Sequence, residues 1–183
     1  KWSGDIIIEW DVEGNEIWNW KTSNYLSTLD IGQTPLNVNL ILNNKAYDWT
    51  HSNAIYFDPI ESVIYLSIRN LSRILKIDYP SGDIIWSMGK EMPSGDVDFG
   101  QNLLFSFQHS LTVLENGNIV TLDNGNLSQV ILGTDYPTTR GLEISVPENE
   151  TDESGQFVGE ASIIWEYSLP EQYFGFASGN VQK

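Results

Sequence analysis

Cysteine is absent from all 183 residues, which excludes disulfides, thiolate metal sites and cysteine nucleophiles. Histidine occurs only twice, and nine Lys or Arg face 25 Asp or Glu, a formal net charge of −16. So acidic a chain repels nucleic-acid phosphates and anionic membrane surfaces, and neither is expected as a partner. No apolar run approaches the roughly 20 residues of a membrane span. No stretch keeps a helical period, and no signal peptide is visible, although the chain opens on Lys1 and not on a methionine. A hydrophobic share of 40% with 12% aromatics is that of a globular chain.

What is present is a repeat of long period. Glu13–Trp20 (EGNEIWNW), Ser81–Met88 (SGDIIWSM) and Glu160–Tyr167 (EASIIWEY) share a short apolar strand and a tryptophan. The two histidines open a second pair of similar units. HSNAIYF runs from His51 and HSLTVLE from His109, and each is followed by an apolar strand and by Asn-Leu-Ser, at Asn70–Ser72 and Asn126–Ser128. Between these marks β-branched and aromatic residues form short runs, with Gly, Pro, Asn or Asp at the joints. Strands are expected over 5–11, 16–20, 53–57, 63–68, 72–78, 83–87, 111–114, 118–122, 129–132 and 162–167. Asp58-Pro59, Asn116-Gly117 and Ser81–Asp83 read as hairpin turns.

Short strands alone do not separate a sandwich from a propeller. Four antiparallel strands per repeat, closed by a tryptophan-bearing outer strand, describe the blade of a β-propeller. The expected fold is therefore all-β, with about two full blades and two incomplete ones. Residues 1–47 read as blade remnants, 48–90 as one blade, 105–170 as a second with an insertion over 134–159, and 171–183 as the start of another. Two full blades do not close a ring of four to eight, so the rest of a propeller, or other copies of the chain, is the expected partner.

Inner strands line a propeller's channel, and both histidines sit where an inner strand begins. His51, Asn53, Arg69 and His109 are thus expected around one site. A neutral imidazole serves as nucleophile or proton acceptor near neutral pH. A guanidinium fork matches the oxygens of sulfate or phosphate in pairs, and an amide donates to a third oxygen or holds a histidine ring. Such a set suits sulfuryl or phosphoryl transfer through a covalent histidine intermediate. The competing reading for Arg69 is a surface salt bridge, a role open equally to Arg73 and Arg140. Two histidines with Asp48 or Asp123 offer a zinc set, but no HExxH pattern supports it. Asp96 and Asp98 in SGDVDFG lack the EF-hand pattern, and no GxSxG elbow is present. No metal and no cofactor is expected. Asp123-Asn124-Gly125 reads as a turn, and Asn70, Asn126 and Asn149 head glycosylation sequons.

The run from Asp48 to Gly89, with FSFQHSLTVLENGNIVTLDNG from Phe105 to Gly125, resembles the core of the arylsulfate sulfotransferases, which use aryl sulfates and need no nucleotide sulfate donor. The H-x-N, the later arginine, and the S-R, G-x-I-x-W, Q-H, N-G-N and D-N-G elements follow in the same order. The resemblance implies a six-bladed propeller, periplasmic or secreted, that moves a sulfuryl group from a phenolic sulfate to a phenol. It implies His109 as the residue that becomes sulfated, and His51, Asn53 and Arg69 as residues that grip sulfuryl oxygens and handle protons. Ser178, in ASGNVQ, stands near an expected late hydroxyl residue. No histidine precedes His51, where the resemblance places one more. The alternative function is a non-enzymatic secreted propeller serving as a binding, adhesive or structural module.

Overall fold

The computed structural model describes residues 2–30 and 47–182; residues 31–46, within the span expected as blade remnants, lie outside the described residues. Among the described residues twelve strands carry the fold: β1 (Trp2–Ser3), β2 (Ile6–Trp10), β3 (Glu16–Lys21), β4 (Tyr47–Asp48), β5 (Ser52–Asp58), β6 (Val63–Ile68), β7 (Arg73–Asp78), β8 (Ile84–Gly89), β9 (His109–Val113), β10 (Ile119–Asp123), β11 (Arg140–Ser145) and β12 (Ser162–Ser168). Strands β5 to β8 and β9 to β12 form two four-stranded antiparallel meanders, β2 pairs with β3, and β1 pairs in parallel with β4. The all-β, four-strand-per-repeat architecture expected from the sequence is the one observed.

Turn chemistry sets the hairpins where the sequence marks them. Asp58 Oδ1 accepts the N–H groups of Ile60 and Glu61 at the β5–β6 turn. Gly117, at φ +82°, closes the β9–β10 turn by donating to the Leu114 carbonyl. The β7–β8 connection is closed by Asp78 N–H on the Asp83 carbonyl.

One feature repeats three times. Trp18 lies opposite Glu9, Trp86 opposite Lys76 and Trp165 opposite Glu143, and in each pair of strands the register shifts by one residue directly beside that tryptophan. The extra residue is Ile17, Ile85 or Ile164. Such a bulge bends a strand and tightens its twist, so three outer strands turn away identically at the same point. The tryptophans are equivalent, as the repeat implies.

Their surroundings differ. Trp86 is fully buried, edge-on to Tyr65 and Phe99, in a core of Val63, Ile74, Ile119, Leu142 and Ile144 that lies between the two meanders. Trp18 is half-buried against Tyr79 and donates from Nε1 to the Pro80 carbonyl. Trp165, on the outer strand of the second meander, remains 36% exposed. A second core, with Trp20, Trp49, Ile64, Leu66 and Leu75, fills the space between the β2–β3 hairpin and the first meander. That meander is therefore covered on both faces. This explains why VIYLSI and RILKI read as apolar runs without alternation.

One strand was misplaced by sequence reasoning. Residues 129–132 were expected to form a strand, yet Ser128–Ile131 is one helical turn, α2, after a similar turn, α1 (Thr22–Tyr25). The third strand of the second meander is β11, inside the span expected as an insertion. Its charges disguise it. Arg140 is buried because Nε and Nη2 meet Asp123 Oδ2 at 2.8 and 2.7 Å, and Glu143 because its Oε1 accepts from Asn118 at 2.7 Å. Val130, by contrast, is 84% exposed: an apolar run with no strand edge to join gains nothing by extending.

Trp86→Ala empties the centre of the first core and is expected to cost about 3–5 kcal/mol in a chemical-denaturation experiment. Trp86→Phe is expected to cost less, because the indole Nε1 has no hydrogen-bond partner among the described residues. Equal losses for the two variants would contradict this packing.

Candidate functional site

Strands β5 and β9 open the two meanders and pack side by side. Each bulges just after its histidine, at 52–54 and at 110–111. The unusual backbone sits one residue apart in the two units. His51 itself takes φ +54°, whereas in the second unit it is Ser110, at +66°.

Asp48 builds the first half of the site. Its Oδ1 accepts the His51 amide at 3.0 Å and its Oδ2 meets His51 Nδ1 at 2.5 Å. Asp5, from the loop before β2, pins the same turn through Thr50 Oγ1 and Ser52 N–H, both at 2.6 Å from Oδ2. The His51 carbonyl in turn accepts the Arg69 amide, so the ends of β5 and β6 are locked together. Arg69 is half-buried with its guanidinium 4.7 Å from the centre of the Phe107 ring, donating to Asn70 Oδ1 and the Phe176 carbonyl. It forms no salt bridge among the described residues, whereas Arg73 and Arg140 are buried structural cations. The surface salt bridge considered for these arginines is thus absent from Arg69 among the described residues, and the ion pairs of Arg73 and Arg140 with Asp30 and Asp123 are buried.

Gln108 joins the halves. It is fully buried, and its Nε2 reaches Ser67 Oγ, the Ile68 carbonyl and the Arg73 carbonyl on the first meander. Its own carbonyl accepts Asn53 Nδ2 at 2.7 Å. His109 follows it directly. His109 Nδ1 lies 2.7 Å from Asn124 Oδ1, and its Nε2 faces the Ser178 amide at 3.2 Å.

Ser178 arrives on a strap over the site. The Gly175 and Ser178 carbonyls accept from Asn124 Nδ2, the Phe176 carbonyl from Asn126 Nδ2 and Arg69, and Asn180 Oδ1 from Ser110 Oγ. All five residues singled out from sequence thus gather here: His51, Asn53, Arg69, His109 and Ser178. Ser178 contributes its backbone N–H to this arrangement. Sequence reasoning noted the Q-H element but gave Gln108 no role, gave none to Asn124, and marked only Ser178 of the strap. Of these, Asn124 had a signal, because D-N-G was noticed but read as a turn.

The two rings sit in opposed environments. The Asp48 hydrogen bond, aided by its charge, raises the pKa of His51. Burial lowers that of His109, and the nearby charges of Arg69 and His51 push the same way. The Arg69 charge acts on both rings and that of His51 on His109, so the three lie within electrostatic reach of one another. The zinc set considered from sequence does not assemble: His51 holds Asp48, while Asp123 is taken by Arg140. No group of three or more metal-ligating side chains occurs among the described residues, and no helix there is long and apolar enough to cross a membrane.

No curated protein matches the chain. The family Arylsulfotransferase (ASST) matches residues 1–174, nearly the whole length, including both meanders and the site residues they carry but not the strap, whose contacts begin at Gly175. With its four-stranded antiparallel sheets and this match, the chain belongs to the arylsulfotransferase family, a family of β-propellers that act on phenolic substrates.

Proposed function

We propose that the protein transfers a sulfuryl group from a phenolic sulfate ester to a phenol through a sulfohistidine on His109. The observation that carries this reading is His109, whose Nε2 accepts the Ser178 amide and whose pKa is lowered by burial and by the nearby charge of Arg69, which favours the neutral ring. An imidazole lone pair next to a guanidinium is what an anionic sulfuryl group needs in order to be attacked.

In the first step Nε2 attacks sulfur, the bond from sulfur to the aryl oxygen breaks, and the phenolate leaves with the electron pair. His51, held protonated by Asp48, gives the phenolate its proton. His109 keeps its Nδ1 proton, so the sulfated ring is an imidazolium balanced by the sulfonate. In the second step a phenol gives its proton to His51, its oxygen attacks sulfur, and the N–S pair returns to Nε2. Arg69, released from the Phe176 carbonyl, meets the charge spread over the sulfuryl oxygens, and the second Asn53 N–H is available to another of them. For attack, Ser178 N–H has to withdraw from Nε2. The same reading places the protein in the periplasm or outside the cell, which cell fractionation tests.

Incubation with a nitrophenyl sulfate is expected to release nitrophenol and leave one sulfuryl group on the protein, read by intact-protein mass spectrometry. His109→Asn is expected to abolish the adduct. Arg69→Lys keeps the charge but loses the planar fork, and is expected to slow release by about 10²–10³-fold, the size of a lost transition-state donor. An adduct that survives His109→Asn would move the nucleophile elsewhere. No adduct and no release from the wild-type protein would favour the binding-module alternative.

The rate should be bell-shaped in pH. His109 must be neutral, so activity rises with pH through its lowered pKa. His51 must be protonated, so activity falls as pH passes its raised pKa. The window therefore brackets the ordinary histidine value of 6.5. Asp48→Asn removes the main cause of the His51 shift and is expected to move the alkaline limb to lower pH. A limb that stays in place would remove His51 from this role.

A further inference from the structure

We infer that Asn124 is a positioning residue that fixes the His109 tautomer, holding the proton on Nδ1 and leaving the lone pair on Nε2. The inference rests on the sulfuryl-transfer reading for its purpose, but its geometry stands independently.

The orientation of the Asn124 amide is forced. Its Nδ2 lies 2.6 Å from the Gly175 carbonyl and 3.0 Å from the Ser178 carbonyl. Carbonyl oxygens only accept, so the NH₂ group must face both of them. The other end of the amide, Oδ1, then faces His109 Nδ1 at 2.7 Å. An amide oxygen also only accepts, so Nδ1 must carry the proton. The opposite side of the ring gives the same answer from a different group. Ser178 N–H points at Nε2 at 3.2 Å, and a backbone amide only donates, so Nε2 must bear the lone pair.

The backbone holds Asn124 in place from both sides. Asp123 is locked to Arg140 and accepts the Ser106 and Gly125 amides. Gly125, at φ +67°, runs so close to Thr138 that a Cβ there would lie 1.8 Å from its carbonyl oxygen. The Asn124 carbonyl accepts from Thr139 Oγ1. Asn124 is fully buried, and the D-N-G sequence is one fixture: an anchor, a ring holder and a close approach.

An amide suits this task better than a carboxylate. The carboxylate partner of His51 favours the imidazolium, which has no lone pair to attack with. A neutral amide orients the ring and favours its protonated form far less than a carboxylate would, and burial with the Arg69 charge outweighs that contribution, so the His109 pKa is lowered. After transfer, Asn124 Oδ1 is the acceptor for the Nδ1 proton of the sulfated ring.

The test is a nitrogen-15 NMR correlation of the two imidazoles at alkaline pH, where both are neutral, with His51→Asn identifying the His109 signals. In wild type, His109 is expected to show a protonated Nδ1 and a bare Nε2. Asn124→Ala is expected to give a mixture of tautomers and to slow phenol release by about 10–100-fold, the usual cost of losing a group that orients a histidine. Asn124→Asp keeps the acceptor and adds charge. It is expected to retain the Nδ1–H form and to move the acid limb of the pH profile upward, because His109 then gives up its proton at higher pH. A wild-type ring protonated on Nε2, an unchanged tautomer in Asn124→Ala, or an unmoved acid limb in Asn124→Asp would each overturn the inference. If the tautomers behave as stated but the wild type releases no phenol, positioning stands and the sulfuryl-transfer reading fails. If phenol is released while the tautomer ignores Asn124, the reverse holds.

Discussion

The side chain on which the site depends most is Gln108. One buried amide touches three groups of the first meander, while its own backbone carbonyl takes Asn53 and its neighbour in sequence is His109. Two hydrogens shared among three oxygens, with no water to compete, make its position costly to change. Apolar packing also joins the two meanders, with the Lys76–Glu148 ion pair and the Phe107 amide on Ser72 Oγ beside it, but packing alone resists separation while being less particular about sliding. Gln108 supplies direction. It converts the stacking of two sheets into a fixed relation between the end of β6, the start of β5 and the first residue of β9, and the catalytic proposal requires that relation to hold.

Around that tie the molecule treats two chemically identical side chains in opposite ways. His51 sits in a turn whose hydrogen bonds converge on acids, Asp48 and Asp5. His109 sits against amides, Asn124 and the Ser178 backbone, with a guanidinium nearby. Environments that push two titrating groups apart are how a single pocket holds an acid and a base together at one pH. The repeat supplies two equivalent positions, and the neighbouring residues make them unlike.

Much of this was legible in the sequence, for reasons that differ from residue to residue. The HSN and HSL units were visible because an inner strand starts and bulges at the same point in both. The Ile-Trp pairs were visible because the bulge beside each tryptophan demands the same local pattern. Strand β11 was hidden because sequence patterns treat Arg and Glu as surface residues, and only the folded chain brings Asp123 and Asn118 to them. Asn124 was hidden for a subtler reason. Asn before Gly is a common turn, and it does form one here, but nothing local tells that its side chain points at a ring fifteen positions earlier. Of the strap only Ser178 was marked, through the resemblance and as a hydroxyl; its main-chain contacts were beyond reach, since main-chain atoms look alike at every residue.

The buried charges leave the acidity of the exterior undiminished. Three of the nine basic side chains, Arg73, Lys76 and Arg140, are withdrawn into the interior together with three acids, Asp30, Asp123 and Glu143, so the burial cancels and an approaching solute meets the full formal excess of negative charge. An anion bound for Arg69 must cross that repulsion before any short-range contact repays it. Dissolved salt, which screens such fields beyond about 10 Å at 0.1 M, would therefore assist entry, the reverse of its usual effect on a cationic anion-binding site. At low ionic strength the field favours solutes with small total charge. The acidic coat thus acts as a filter on the whole solute, ahead of and separate from any recognition of the group it carries.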